Sequence, residues 1–408
     1  MDKYIITMLG EKDHGKSTLI GNLLIGTGTA TEARINEVKK SVKSERFEPA
    51  HILDSFAEER EQEMTIDTTR AELVYKKAIL ELIDVPGHLE LIKNMMSGAS
   101  NSDLAVLMVS VKKEEGFQPQ TKRHIFLASM FGIKALIVAI NKMDFADYDK
   151  SIFERTKREI SEYLDSIGFD KPKIFVPISA YNNENLISIS KNMPWYKGEP
   201  LLDIVRDFAG RHSKKSGISG TRMLVQDSMD LEGERTIFGI LYNGSMAVND
   251  TVRIEPNGAS ATVHNLFVKG KKVRSAKEGA NVAVTFKKDV EIERGSVVYG
   301  KSEKPYRKGA FDAKIFVING IDASPGGGLS LKMNNNLMPL KGIKVSKVLS
   351  PISGKYSEPS KKIAANNVVY ANLSLKVQYP VERYEDYSEL GRFAIYRNDD
   401  FVGVGVVE

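Results

Sequence analysis

Cysteine is missing from all 408 residues, which excludes a disulfide framework, a disulfide-linked partner and a thiolate metal site. Long apolar runs are missing as well. Stretches such as Ala135–Ile140 fall far short of the roughly 20 residues that span a bilayer, so no membrane partner is expected. The N-terminus, Met1-Asp2-Lys3-Tyr4, runs straight into a strand-like stretch and lacks the basic-then-apolar pattern of an export signal. These absences point to a soluble, cytoplasmic chain. What is present is ordinary for such a chain: 42% hydrophobic and 27% charged residues, at a length that allows several domains.

Charge is unevenly placed. Residues 211–408 carry 30 Lys and Arg against 21 Asp and Glu, whereas residues 1–210 carry 28 against 32. A near-neutral front and a basic back suggest a catalytic half beside a half that meets an anionic partner; the plainer reading of the excess is a well-solvated surface.

The texture changes at the same place. Up to about residue 210, apolar runs (Tyr4–Leu9, Ile79–Ile83, Leu104–Val111, Ala135–Ile140, Ile174–Ile178) alternate with stretches of helical period near Lys16–Ile25, Leu89–Ser97, Gln120–Phe131 and Ser151–Ile167. That alternation predicts an α/β domain, a parallel sheet with helices on both faces. Residues from Ala30 to Met64 show no clean period and read as a charged, mobile stretch. Gly210–Gly220 reads as a polar linker. Beyond it, short β-branched runs are punctuated by Asn243-Gly244, Asn249-Asp250, Asn257-Gly258 and Glu278-Gly279, the pattern of small barrels or sandwiches. A second basic link, Gly300–Gly309, separates two such blocks. Three domains are expected: 1–210, then β domains at 218–301 and 308–408.

The chemistry begins where the first strand ends. Gly10–Ser17 (GEKDHGKS) fits G-x-x-x-x-G-K-[ST] between a strand and a helix. Glycines let such a loop curl so that successive N–H groups face a phosphate, and the following helix adds its positive end. Lys16 would reach the β- and γ-phosphates, and the Ser17 hydroxyl would bind Mg2+. Alone, a glycine turn followed by an exposed lysine would account for the match; its placement argues otherwise.

A second element, Asp84-Val85-Pro86-Gly87-His88, again closes an apolar strand. Asp84 can hold Mg2+ through water, the Gly87 N–H can approach the γ-phosphate, and His88 can position the attacking water. A contact that exists only with the triphosphate is the basis of an order–disorder switch. Third, Asn141-Lys142-Met143-Asp144 follows another strand. Asp144 can accept from both N1–H and the 2-amino group of guanine; adenine offers neither, which leaves a buried acceptor unpaired. Asn141 can brace the loop, Lys142 can lay its stem along the ring, and Ser179-Ala180 can offer an N–H to the 6-oxo group. Each short match is weak alone. In this order, each at a strand's end, they make GTP the expected nucleotide. Finally, Thr65, in the charged stretch Glu58–Asp67, is a candidate second Mg2+ ligand from a switch segment; the bland alternative is a charged helix end before a strand.

Asp13-His14-Gly15-Lys16-Ser17-Thr18, Thr65-Ile66-Asp67, Asp84–His88 and Asn141–Asp144 resemble translational GTPases of the elongation factor Tu / elongation factor 1-alpha superfamily. Lys93–Ser100, Asn192–Gly198 and Glu389–Ala394 resemble its archaeal and eukaryotic branch. The resemblance covers nearly the whole chain. It implies a nucleotide-binding domain with Gly10, Asp13, His14 and Thr18 in the phosphate loop, followed by two β-barrels. It also implies His88 as the hydrolysis residue, with activation by a large partner rather than fast intrinsic turnover; the first reading of that partner is the ribosome with tRNA or a tRNA-like protein. A nucleotide exchange factor belongs to the same expectation.

Glu59–Gln62, Gln120–His124 and Gly132–Tyr148 are also similar to the GTPase subunit of sulfate adenylyltransferase, so a regulatory role in sulfate activation is the alternative. Some residues depart from the elongation-factor pattern. Glu63 stands where a glycine is usual. Leu241-Tyr242-Asn243-Gly244 replaces an Arg-x-Glu-x-Gly strand on the surface that receives the aminoacyl end of tRNA. Leu331–Asn336 lacks a histidine-bearing strand. A third reading, a GTP-dependent binding module with weakened hydrolysis, rests on Glu63 alone.

Overall fold

The computed structural model describes residues 1–41, 47–61, 69–84, 92, 104–112, 114–212, 220–231, 233–303, 307–324 and 327–408. They form two compact units, Met1–Lys214 with Pro351–Lys355, and Lys215–Ser350 with Tyr356–Glu408.

In the first unit, β1 (Asp2–Leu9), β2 (Thr69–Tyr75), β3 (Ala78–Asp84), β4 (Leu104–Ser110), β5 (Leu136–Asn141) and β6 (Lys173–Pro177) share one sheet. Their order is β2-β3-β1-β4-β5-β6. All neighbours are parallel except β2 against β3. Every residue of β4 and β5 is buried, as continuous apolar runs require when helices cover both faces. Because β3 and β4 flank β1, the strand order reverses there, and the C-terminal ends of these strands open on a natural ligand crevice.

Six α-helices lie in the described part of this unit: α1 (Lys16–Gly26), α2 (Glu32–Ser41), α3 (Ala50–Glu61), α4 (Pro119–Met130), α5 (Lys150–Ser166) and α6 (Leu201–His212). The stretch expected to be aperiodic and mobile therefore holds two helices. In α2 only Val38 is buried, too thin an apolar stripe to give a period. The chain docks α3 through Ile52 and Leu53. Gly21 of α1 permits the close approach, since a Cβ there would collide with the Pro49 carbonyl. A further correction concerns α6, which buries Leu201, Leu202, Ile204, Val205, Phe208 and Ala209 and runs through Gly210, where a linker was expected. Residues 213–219 of that linker, and the expected helix Leu89–Ser97 apart from the buried Ile92, lie outside the described residues.

The second unit holds two antiparallel barrels. Seven strands between Arg222 and Gly300 form one sheet, closed by pairing Thr251–Glu255 with Ala259–Val268. Seven more between Arg307 and Val407 form another, closed by pairing Leu329–Met333 with Asn336–Leu349. Inward residues such as Met223, Val225, Ile237 and Val263 fill the first; Phe311, Ile315, Leu373 and Phe393 fill the second. The closing hairpin turns on Asn334 and Asn335, at φ 49° and 72°, a left-handed pair that asparagine tolerates well.

The barrels meet around one buried cation. The Arg222 guanidinium donates to Glu382 at 2.8 Å and to Glu303, between the rings of Tyr299 and Tyr387 at 4.3 and 4.8 Å. Glu303 also accepts from the Thr221 N–H at 2.6 Å. Replacing Arg222 by Ala would strand two shielded carboxylates, at a cost of about 3 kcal/mol. In denaturant titrations, the transition of the second unit should move to clearly lower denaturant in Arg222→Ala; an unchanged midpoint would show the ion network to be energetically idle.

Candidate functional site

The phosphate loop leaves β1 at Gly10 and enters α1 at Lys16. Its backbone needs glycine twice. Gly10 has φ 140° and a Cβ there would meet the Met108 carbonyl at 2.7 Å; Gly15 has φ 94° and a Cβ there would meet Asn141 Nδ2 at 2.5 Å. Asp13 also takes a left-handed φ, 66°. No side chain caps α1, so its positive end faces the loop. Lys16, buried, donates from Nζ to the Gly10 and Glu11 carbonyls at 3.0 Å each, which folds its ammonium back over the curl. Ser17 and Thr18 follow, half-buried, in the first helical turn.

Asp84 closes β3, paired in register with Met8 of β1. Parallel register therefore brings its carboxylate out at the same edge as the phosphate loop, one strand away. Thr65, Gly87, His88 and the divergent Glu63 lie outside the described residues.

The stretch Asn141–Asp144 begins at the last residue of β5. Asn141 is buried and bridges two loops: its Nδ2 donates to the His14 carbonyl at 2.8 Å, and its Oδ1 accepts from the Ala180 N–H at 2.8 Å. Lys142 adopts a left-handed φ of 65° and starts a short 3-10 helix, Met143–Ala146. Asp144 accepts from the Ser179 hydroxyl at 2.6 Å, which sets the plane of its carboxylate. Asn22 of α1 donates to the Ala180 carbonyl at 2.5 Å, tying the phosphate-side helix to the same corner.

Ser179 and Ala180 also have protein partners in this structure. The Ala180 N–H goes to Asn141 and the Ser179 N–H to the Glu184 carbonyl at 3.3 Å. The Ser179 hydroxyl, which donates to Asp144, links this turn to the Asn141–Asp144 stretch.

Two features escaped the sequence reading. Glu115, in the turn after β4, accepts from Lys142 Nζ at 2.6 Å. Burial would raise its pKa, but the hydrogen bonds from Lys142 and Ser110 and the nearby Lys charges hold it below the ordinary carboxylate range. The other is a cavity of about 910 Å³ on the first barrel, lined by Thr236, Phe238, Asn265, Phe267 and Thr285 among others. No local signal announces either, because partners and lining residues come together only when distant segments pair.

His14 is buried, with Nδ1 at 3.0 Å from the Met108 carbonyl and Nε2 at 3.4 Å from the Glu115 carbonyl. A neutral ring has one N–H to share between these two acceptors. Burial, opposed by those carbonyls, lowers its pKa from the usual 6.5, so the unfolded chain binds the proton more readily. The stability His14 confers is complete above pH 6.5 and is lost as pH falls through the lowered folded value. Between about pH 7 and pH 5, the denaturant midpoint of the first unit should drop more steeply in the native chain than in His14→Asn; equal slopes would contradict this assignment.

Residues 2–237 match the family model of the elongation factor Tu GTP binding domain, and residues 310–408 match that of the GTP-eEF1A C-terminal domain-like family. Elongation factor 1-alpha of Aeropyrum pernix is 32% identical, over 98% of this chain and 95% of that one. The same factor of Archaeoglobus fulgidus is 33% identical, over 98% and 96%, and that of Pyrobaculum calidifontis 33%, over 96% and 90%. With a glycine loop between β1 and α1, a mostly parallel α/β domain and two barrels in the matching order, the chain belongs to the elongation factor Tu / elongation factor 1-alpha family of GTP-binding, GTP-hydrolysing translation factors.

Proposed function

We propose that this chain is a Mg2+-dependent GTP switch that works on the ribosome with tRNA or a tRNA-like protein, reset by a nucleotide exchange factor. Similarity to elongation factor 1-alpha along nearly the whole chain carries the reading; relatives with these names do not favour the sulfate-activation alternative. In this reading the domains are 1–210, 218–301 and 308–408.

The N–H groups of Gly10 and Asp13–Thr18 would wrap the phosphates, with Lys16 against the β- and γ-oxygens. Asp144, set by Ser179, would take the N1–H and 2-amino edge of guanine; Asn141, Lys142 and Ala180 would frame the base. His88 would hold the attacking water and the Gly87 N–H would meet the γ-phosphate.

The donors present suit Mg2+. Ser17 and Thr65 offer hydroxyls and Asp84 a carboxylate, all hard oxygens. Bound there, Mg2+ would neutralise charge on the β- and γ-phosphates.

The barrels would carry the macromolecular partner. Strand Glu234–Asn243, which ends in the divergent Leu241–Asn243, contributes Thr236 and Phe238 to the 910 Å³ cavity, a size suited to one end group of a larger ligand. Leu241 itself points into the barrel core, whereas Tyr242 and Asn243 are half-buried beside it.

Ribosomes should raise the GTP hydrolysis rate of the native chain, and His88→Ala should lose about a hundredfold or more of the stimulated rate while still binding GTP. A native rate indifferent to ribosomes would remove the translational role. A His88→Ala rate equal to the native one would remove the catalytic assignment.

A further inference from the structure

The turn after β4 holds a residue with two tasks. The N–H groups of Glu115 and Gly116 both donate to the Lys112 carbonyl, at 3.0 and 2.9 Å, and the Lys112 N–H donates to the Ser110 hydroxyl at 3.2 Å. This tight turn fixes the Glu115 backbone directly beyond a strand that is buried along its whole length. From there its carboxylate accepts from Lys142 Nζ at 2.6 Å, with Lys112 Nζ at 3.7 Å from the other oxygen. Its main-chain carbonyl is one of the two acceptors facing His14. One residue thus touches the lysine of the base-reading stretch by its side chain and the phosphate loop by its backbone.

We propose that Glu115 is a positioning residue for the nucleotide, holding Lys142 in register with the phosphate loop so that the lysine stem covers the face of the base. The proposal rests on the reading of Asn141–Asp144 as the guanine-binding stretch. Lys142 has four side-chain torsions and a left-handed backbone; unanchored, its ammonium would wander in water and the stem would cover nothing in particular. Anchoring the far end orders the stem before the ligand arrives, so that binding does not have to order it. The pair is suited to this. Its side chains are 18% and 23% exposed, well shielded compared with the surface pairs whose contribution salt and mobility erase. Lys112 lies farther from the carboxylate than Lys142, at 3.7 Å against 2.6 Å, with its ammonium over the exposed Phe145 ring at 3.8 Å. Preorganisation of this kind shows mainly in how long the ligand stays.

The test is the dissociation rate of a fluorescent GDP analogue from the full chain, measured for the native protein, Glu115→Ala, Glu115→Gln, Lys142→Ala and the double variant Glu115→Ala/Lys142→Ala. Unfolding midpoints establish that each is folded. Glu115→Ala should release GDP about tenfold faster, the size of one lost charge-assisted hydrogen bond. Glu115→Gln, which keeps an acceptor oxygen, should fall between it and the native chain. The double variant should release no faster than Lys142→Ala alone, since the glutamate acts only through the lysine. Native-like release from Glu115→Ala, or effects of the two substitutions that simply multiply, would overturn the proposal. If the native chain itself fails to prefer GDP over ADP, the fault lies with Asn141–Asp144 and the proposal falls with it. Should Glu115→Ala not fold, Glu115→Gln and its combination with Lys142→Ala carry the same comparison.

Discussion

The side chain of Asn141 holds together parts of the molecule that the chain keeps far apart. Its amide nitrogen serves the carbonyl of His14 and its oxygen takes the N–H of Ala180. Both main-chain groups are in tight loops that follow strands, and both would lack a partner if the carboxamide were removed. The loops that follow β1, β5 and β6 are therefore tied together at one corner. Asn141 can do this because it is the last residue of β5, a strand buried from end to end, so its position is set by the sheet and not by the loops it joins. Gly15 follows from the same contact: a Cβ there would press on the Asn141 amide.

Parallel pairing supplies the rest of the geometry. In register, Met8 lies beside Asp84 and Ser110 beside Asn141, so the residues that end each strand emerge along one edge. A sheet whose strand order reverses about β1 gathers the glycine loop, the Asp84 carboxylate and the Asn141–Asp144 turn without any of them being adjacent in sequence. In the second unit, Arg222 with Glu303 and Glu382 plays the corresponding part, and Asn336 adds a link from its Nδ2 to the Gly295 carbonyl at 3.2 Å. Two small barrels, each with a modest core, are joined by polar groups that only their meeting can satisfy.

The sheet and the glycine loop that leaves β1 were legible in the sequence for a physical reason. Strands buried on both faces are written as unbroken apolar runs, and a loop that wraps phosphate needs its glycines and lysine at fixed spacing, so Leu104–Ser110, Leu136–Asn141 and Gly10–Ser17 announce themselves. Helices α2 and α3 did not, because α2 buries one side chain and α3 is held by a close approach at Gly21 that no local pattern encodes. Glu115 was silent for a similar reason: a lone glutamate in a charged turn gains meaning only from the lysine that folding brings to it. Ser179-Ala180 could be found as a motif, but which hydrogen bonds it makes depended on Asn141 and Asp144 being in place.

The central claim is that one carboxamide makes the phosphate and base halves a single site. Its most direct test is the equilibrium affinity of Asn141→Ala for GDP, measured beside its unfolding midpoint. Loss of both bridging hydrogen bonds predicts about a hundredfold weaker binding in a chain that still folds. Native-like affinity in the folded variant would mean that the two halves are held together by something else.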